Sequence, residues 1–337
     1  MARGAFTRRN HYNPCFWTAL WNEQYYRRYC SDAEQKGRAR EQSVYALNFR
    51  ADKIIPTTVD NVHFHPHLGV AEITPESSKR FCKRWYPDRY EQTAAYVDQH
   101  PEVLYLDFED ILTGIETTGH YSALLQAAKL GDFESAEHKG FLISILMIHA
   151  MRSYEFMSAA IEGMNAVGID KFEYFWLLRH AWSSRTFLAR AVTAPALAEW
   201  TLWRTRNHAF PLCDSPVMIS RDSLMATLSP RLLLEINLDV HRPEGSWRLR
   251  DDVPKHKLAE FRRRSIANTF KEIIFHDPQV LQQWRSSSQA TARIATLRDP
   301  ATAKQCIQEA AARVIYGFNG FGRIPDAFEN WFNLNVM

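Results

Sequence analysis

The stretch FPLCDSPVMISRDSLMATLSPRLLLEINLDV, Phe210 to Val240, decides the fold. Two short apolar runs, Phe210 to Leu212 and Val217 to Ile219, flank the acidic turn Asp214-Ser215-Pro216. The breaker pair Ser229-Pro230 then introduces a third strand-like run, Leu232 to Ile236. A carboxylate set between two strands is rigidly presented. Asp214 is therefore the first candidate for chemistry, as a metal ligand or a general base. The plainer use of Asp there is an Asx hydrogen bond that caps its own turn, and both readings stand.

Working outward toward the N-terminus, Val44 to Phe49 alternates as VYALNF and reads as a strand. Arg50-Ala51-Asp52 turns into a second strand, Lys53 to Val59, and Asn61 to Phe64 reads as a third. Pro56 places the second strand at an edge or breaks it, because proline has no N–H for a sheet ladder. Thr74-Pro75-Glu76 predicts a helix start, with Thr as N-cap and Pro at the first helical position. From there to about Arg206 helical periodicity prevails, over Asp107–Ile115, Tyr121–Leu130, Ser135–Gly163, Lys171–Trp182 and Arg185–Trp203. The run FLISILMIHAM inside the third of these is apolar almost all round, which predicts burial on most sides.

On the C-terminal side, a basic loop from His241 to Lys257 leads to a helix over Leu258–Phe275, and Thr302–Tyr316 is amphipathic. The expected fold class is α+β, a mainly helical body with a small antiparallel sheet. No Gly/Pro/Ser-rich linker divides the chain, so one domain with two lobes is expected. Its parts are an N-terminal segment of about residues 1–73, a helical body 74–206, strands with a late helix 207–277, and a C-terminal helix and tail 278–337.

Composition bounds the function. The 337 residues are 46% hydrophobic, enough to bury a large core, and the 13% of aromatics predict a bulky interior. A net charge of +3 is too mild to mark a nucleic-acid binder by itself. Cys15, Cys30, Cys82, Cys213 and Cys306 form no CxxC pair, which favours a reduced, cytoplasmic setting over a disulfide framework. The longest apolar run, Phe141 to Met151, is far shorter than the roughly 20 residues a membrane span needs, so no membrane association is expected.

The order of short motifs carries more than any one of them. His11-Tyr12-Asn13-Pro14 opens the chain, and the VYALNF strand follows. Phe108-Glu109-Asp110-Ile111 and a helix ending His149-Ala150-Met151-Arg152-Ser153 come next. Then come Cys213-Asp214-Ser215-Pro216-Val217, Leu228-Ser229-Pro230-Arg231 and Ser265-Ile266-Ala267-Asn268. Over about His11 to Asp277 this succession resembles the domain of unknown function 4238 family. The resemblance implies fold and architecture and brings no established activity. The chain departs from the family pattern at Cys213 and Ser215, where Ser or Thr and Asn are usual.

The remaining candidates are weighed on their chemistry. His149 and Arg152 stand three apart and share a helix face. A buried Arg152 requires an anionic partner, either Glu109 or Asp214 as a structural mate or an anionic substrate group. His11 is a candidate proton carrier or metal ligand, or a packed histidine. Asn268 either reaches toward the strands from mid-helix or faces solvent. His63-Phe64-His65-Pro66-His67 has metal-like spacing, but Pro66 breaks the strand geometry that chelation needs. Arg242 to Arg264 holds eight Lys or Arg against four acidic residues and reads as a phosphate contact or a solvated face. No Walker loop, GxGxxG, HExxH or GxSxG motif is present.

Two functions are consistent with this set. In one, His11, Glu109, Arg152, Asp214 and Asn268 form the catalytic site of a metal-assisted hydrolase of a phosphate-containing substrate, a nucleic acid or a nucleotide. Asp214 and Glu109 would hold a divalent metal, His11 would move protons and Arg152 would orient phosphate. In the other, a non-enzymatic binding or regulatory protein uses the same polar residues as a buried structural network.

Overall fold

The computed structural model describes residues 9–30, 38–108, 136–183, 198–206, 210–220, 222–241 and 247–320. In chain order its elements begin with β1 (Arg9–His11), α1 (Cys15–Thr18), α2 (Glu23–Cys30), β2 (Ser43–Asn48), β3 (Lys53–Thr58), β4 (Phe64–Pro66) and β5 (Val70–Ile73). There follow α3 (Pro75–Trp85), α4 (Tyr90–Gln99), β6 (Leu104–Asp107), α5 (Ala136–Arg152), α6 (Tyr154–Ala166) and α7 (Lys171–Ser183). Next are β7 (Ala198–Arg204), β8 (Leu212–Cys213), β9 (Val217–Ile219), β10 (Ser223–Ser229), β11 (Leu232–His241) and β12 (Trp247–Arg250). The chain closes with α8 (Lys255–Ala267), β13 (Glu272–Phe275), α9 (Pro278–Arg285), α10 (Ser288–Arg298) and α11 (Pro300–Gly320).

The expected small sheet is overturned. Among the described residues the strands form four sheets, one of five strands in the order β12-β7-β11-β10-β9 and one of four in the order β3-β2-β13-β8. Two further pairs, β1-β4 and β5-β6, complete them. The protein is a mixed α/β structure in which sheet and helix share the core.

β10 and β13 escaped the sequence reading for one physical reason. β10 buries its last six residues and β13 all four. Strands buried on both faces lose the period-two signal that marks a half-exposed strand. β13 therefore merged into the expected helix over Leu258–Phe275, whereas α8 stops at Ala267. β7 does alternate, burying Ala198, Trp200 and Leu202, yet it was assigned to the helix Arg185–Trp203. β12 lies in the expected basic loop and pairs in parallel with β7, Leu249 opposite Leu202. The expected helix over Ser135–Gly163 is two helices, broken where Ser153 turns extended at ψ 149°. Those expected over Asp107–Ile115 and Tyr121–Leu130 fall largely or wholly outside the described residues, and Asp107 itself ends β6.

Other expectations hold. β2 and β3 pair antiparallel, and β3, which carries Pro56, is the edge strand. Thr74 caps α3 by accepting the Ser77 N–H at 3.1 Å. Among the described residues no helix is long and apolar enough to cross a membrane.

One topological fact positions the site. β8 pairs with β13 in the four-stranded sheet, and β9 pairs with β10 in the five-stranded sheet. The Asp214-Ser215-Pro216 turn is thus the crossing from one sheet to the other. The N-terminal segment packs against this junction through two fully buried tryptophans. Trp17 Nε1 donates to the Leu228 carbonyl at 3.1 Å, and Trp21 Nε1 to the Phe210 carbonyl at 2.7 Å.

Candidate functional site

Asp214 is 1% exposed. Its carboxylate accepts the Phe270 N–H on both oxygens, at 3.1 and 3.0 Å. Oδ2 also accepts from Lys271 N–H at 2.5 Å and Glu272 N–H at 3.3 Å. Phe270 and Lys271 lie in the reversal between α8 and β13, and Glu272 opens β13. A short carboxylate at the sheet crossing reaches all three, which is the local reason an Asp stands there.

Further acidic and polar side chains join it in one cluster. Ser215 Oγ donates to Oε1 of Glu155, in the first turn of α6. Glu272 opens β13 and accepts the His63 N–H at 2.7 Å, with Lys271 Nζ 3.5 Å from its carboxylate. Asn13 Nδ2 donates to His63 Nδ1 at 3.0 Å and to the carbonyls of Cys213 and Asp214 at 3.3 Å each. His63 holds a left-handed backbone, φ 51°, which costs roughly 1 kcal/mol in a non-glycine residue. That conformation turns its N–H toward Glu272.

The electrostatics follow from burial. Desolvation, then the nearby Glu155 charge, pushes Asp214 up to about 8, against the pull of the Lys271 and Phe270 amides. Glu155 and Glu272 are raised by burial as well, the latter eased by Lys271. His63 is held well below its usual range, first by burial and then by Lys271. Tyr12 is raised by burial and by the charges of Asp214, Glu272 and Glu155. Its hydroxyl, His63 Nε2 and Glu155 Oε2 are buried without a hydrogen-bond partner among the described residues.

The expected site residues differ in what they touch. Asp214 sits at the sheet crossing. Arg152 ends α5, 4% exposed, and its charge is felt by both His11 and His149. His11 is also buried, but its Nε2 lies 3.3 Å from the Asp60 carbonyl. Desolvation lowers it to about 4, with Arg40 and Arg152 adding to the shift against the Asp60 hydrogen bond. His149 shares the helix face of Arg152 as expected, packs 5.0 Å from the Trp17 ring, and is driven by burial to about 3. Asn268 is not in mid-helix. It is the C-cap of α8, and its side-chain amide donates to the Arg264 carbonyl at 2.8 Å. Glu109 lies outside the described residues.

Among the described residues no group of three or more His, Cys, Asp or Glu side chains is arranged to hold a metal ion. The donor chemistry gives the reason at Asp214, whose oxygens are already directed at amide protons. In the HFHPH run, His63 is fully buried, while His65 stacks 5.0 Å from Tyr154 and His67 sits at φ 56°. The basic stretch is partly neutralised: Lys257 bonds Glu260 within it and Glu235 on β11, and Arg248 pairs with Glu199 on β7.

Sequence reasoning missed Asn13, His63, Glu155 and Glu272 as members of this cluster. Asn13 was within reach, since it follows His11-Tyr12 in the quoted motif. His63 stood out only through the HFHPH spacing, which pointed to a metal, and Glu155 and Glu272 had no local signal. Comparison of the chain with known proteins finds no matching family model, no matching curated protein and no matching solved structure.

Proposed function

We propose that the protein works by binding, and that the Asp214 cluster is the strut that holds its two main sheets and N-terminal segment in register. One observation carries this reading: the Asp214 carboxylate is spent on the N–H groups of Phe270, Lys271 and Glu272. A catalytic carboxylate needs a lone pair directed at a metal, water or substrate proton. At 1% exposure this one faces the chain's own backbone. The resemblance to the domain of unknown function 4238 family is compatible with this reading and adds no activity to it.

Thermal melting of Asp214→Ala tests it. Three buried N–H groups would lose their acceptor, each at a cost of roughly 1–3 kcal/mol. The expected result is a melting point lower by several degrees or more. A melt equal to wild type, together with loss of a wild-type phosphodiesterase or phosphatase activity, would return the cluster to catalysis.

A further inference from the structure

Three arginines gather at the same end of the five-stranded sheet as the Asp214 crossing, on its β7–β11 side. β7 delivers Arg204 and, two residues on, Arg206, while the turn between β10 and β11 delivers Arg231. Leu232 pairs with Arg204 across the sheet, and the Thr205 N–H donates to the Arg231 carbonyl at 3.0 Å. The Arg231 N–H in turn donates to Ser229 Oγ at 3.2 Å. The backbone carrying these side chains is therefore pinned. Together with Thr205 and Asp251 they line a cleft of about 310 Å³.

The cleft lining holds three arginines and one carboxylate. Asp251 takes Arg204, at 2.5 Å. The Arg231 guanidinium lies 5.6 Å over the Tyr26 ring, and its Nε is buried with no hydrogen-bond partner among the described residues. Three arginines against one aspartate leave the cleft lining with a net positive charge, which an anion would offset. The second arginine cluster is different. There Asp52 sits between Arg285 and Arg298, 2.8 and 3.3 Å away, so both guanidiniums share a direct bond to one carboxylate.

We propose that the Arg204–Arg206–Arg231 cleft is an oxyanion site for the phosphate groups of a small molecule of the diphosphate class. The guanidinium fork matches the spacing of phosphate oxygens. The volume falls at the low end of small-ligand sites, which run from roughly 300 to 1,000 Å³. It suits one compact phosphorylated molecule and not a duplex. This inference rests on the binding reading above and supplies its ligand class.

Calorimetric titration of the full chain with inorganic pyrophosphate at about 0.15 M salt tests it. Wild type should bind at a single saturable site. Arg206→Ala, an exposed position that should fold normally, should weaken binding by about tenfold. Arg231→Lys should weaken it too, since the charge stays and the fork is lost. Asp251→Asn should tighten it, and Arg285→Ala in the other cluster should leave it unchanged.

Absence of pyrophosphate binding to wild type would overturn the proposal. So would equal weakening by Arg206→Ala and Arg285→Ala, the mark of diffuse surface charge. Binding of a single-stranded oligonucleotide of about ten nucleotides without pyrophosphate binding would assign the arginines to a polyanion backbone and sink the small-molecule site. None of these outcomes touches the Asp214 melting test. Hydrolysis of pyrophosphate during the titration would instead overturn the binding reading and leave the cleft in place.

Discussion

Asn13 donates its side-chain amide to Nδ1 of His63 across 3.0 Å. Nδ1 of His63 is thereby an acceptor, which makes the imidazole neutral with its proton on Nε2. The same amide reaches the Cys213 and Asp214 carbonyls, so one side chain ties the N-terminal segment, the β4 region and the sheet crossing together. Asn13→Ala would leave these buried acceptors unpaired and should cost about 1–3 kcal/mol. Urea denaturation monitored by tryptophan fluorescence measures it, and an unchanged midpoint would show that the cluster is not a strut.

Stability should fall as pH rises from 6.5 to 8. The Asp214 proton is held more tightly in the folded chain, its value moving from 3.8 to about 8. Between those values the native state keeps a proton that the unfolded state has lost, so rising pH favours unfolding. His11 and His149 move oppositely, from 6.5 to about 4 and about 3. The unfolded chain takes up those protons first, and the stability they contribute is lost as pH falls below 6.5. Of these three groups Asp214 alone acts above 6.5, with a slope on the order of 1 kcal/mol per pH unit. Urea midpoints at pH 6.5, 7.2 and 8.0 check the slope, and Asp214→Asn should flatten it.

Trp21→Phe should destabilise the chain without disturbing its packing shape. The indole donates at 2.7 Å to the Phe210 carbonyl and is fully buried. A phenyl ring fills much of the same space but leaves that carbonyl without its donor, a loss of about 1–3 kcal/mol. A stability equal to wild type would mean that the carbonyl has found another donor.

Glu173 in α7 is fully buried. Its Oε2 receives Arg84 Nη1 from α3 at 2.8 Å and the Asp170 N–H at 3.3 Å, while Asp170 Oδ1 accepts the Glu173 N–H at 2.9 Å. This reciprocal arrangement is a capping box joined to an inter-helix ion pair. A double-mutant cycle of Arg84→Ala and Glu173→Gln should give a coupling of about 0.5–3 kcal/mol. Arg84 keeps some access to water, its side chain being 30% exposed, which places the expected value in the lower half of that range. Strict additivity would show that the pair is not coupled.

Local chemistry was legible along the chain. The Thr74-Pro75 helix start, the edge position of Pro56, the β2–β3 hairpin and the turn at Asp214 all follow from residues within a few positions of each other. Such signals depend on φ preferences, missing N–H groups and short side-chain reach, so they survive without tertiary context. Elements whose assignment depends on what covers them were misread. β10 and β13 are enclosed on both faces, and nothing in an unbroken apolar run says whether its neighbours are strands or helices.

The same division governs the site. That Asp214 is special could be read from its place between two apolar runs, but the local Asx bond expected of it is replaced by bonds to the amides of a distant turn. Its actual partners lie 56 to 58 positions away, and Glu155 reaches Ser215 across 60 positions. A sequence determines which groups are available to pair, because composition and local geometry are written residue by residue. Which of them meet in a dry interior, and so which carboxylates keep a proton at neutral pH, is decided only when the sheets close over the crossing and remove water from between them.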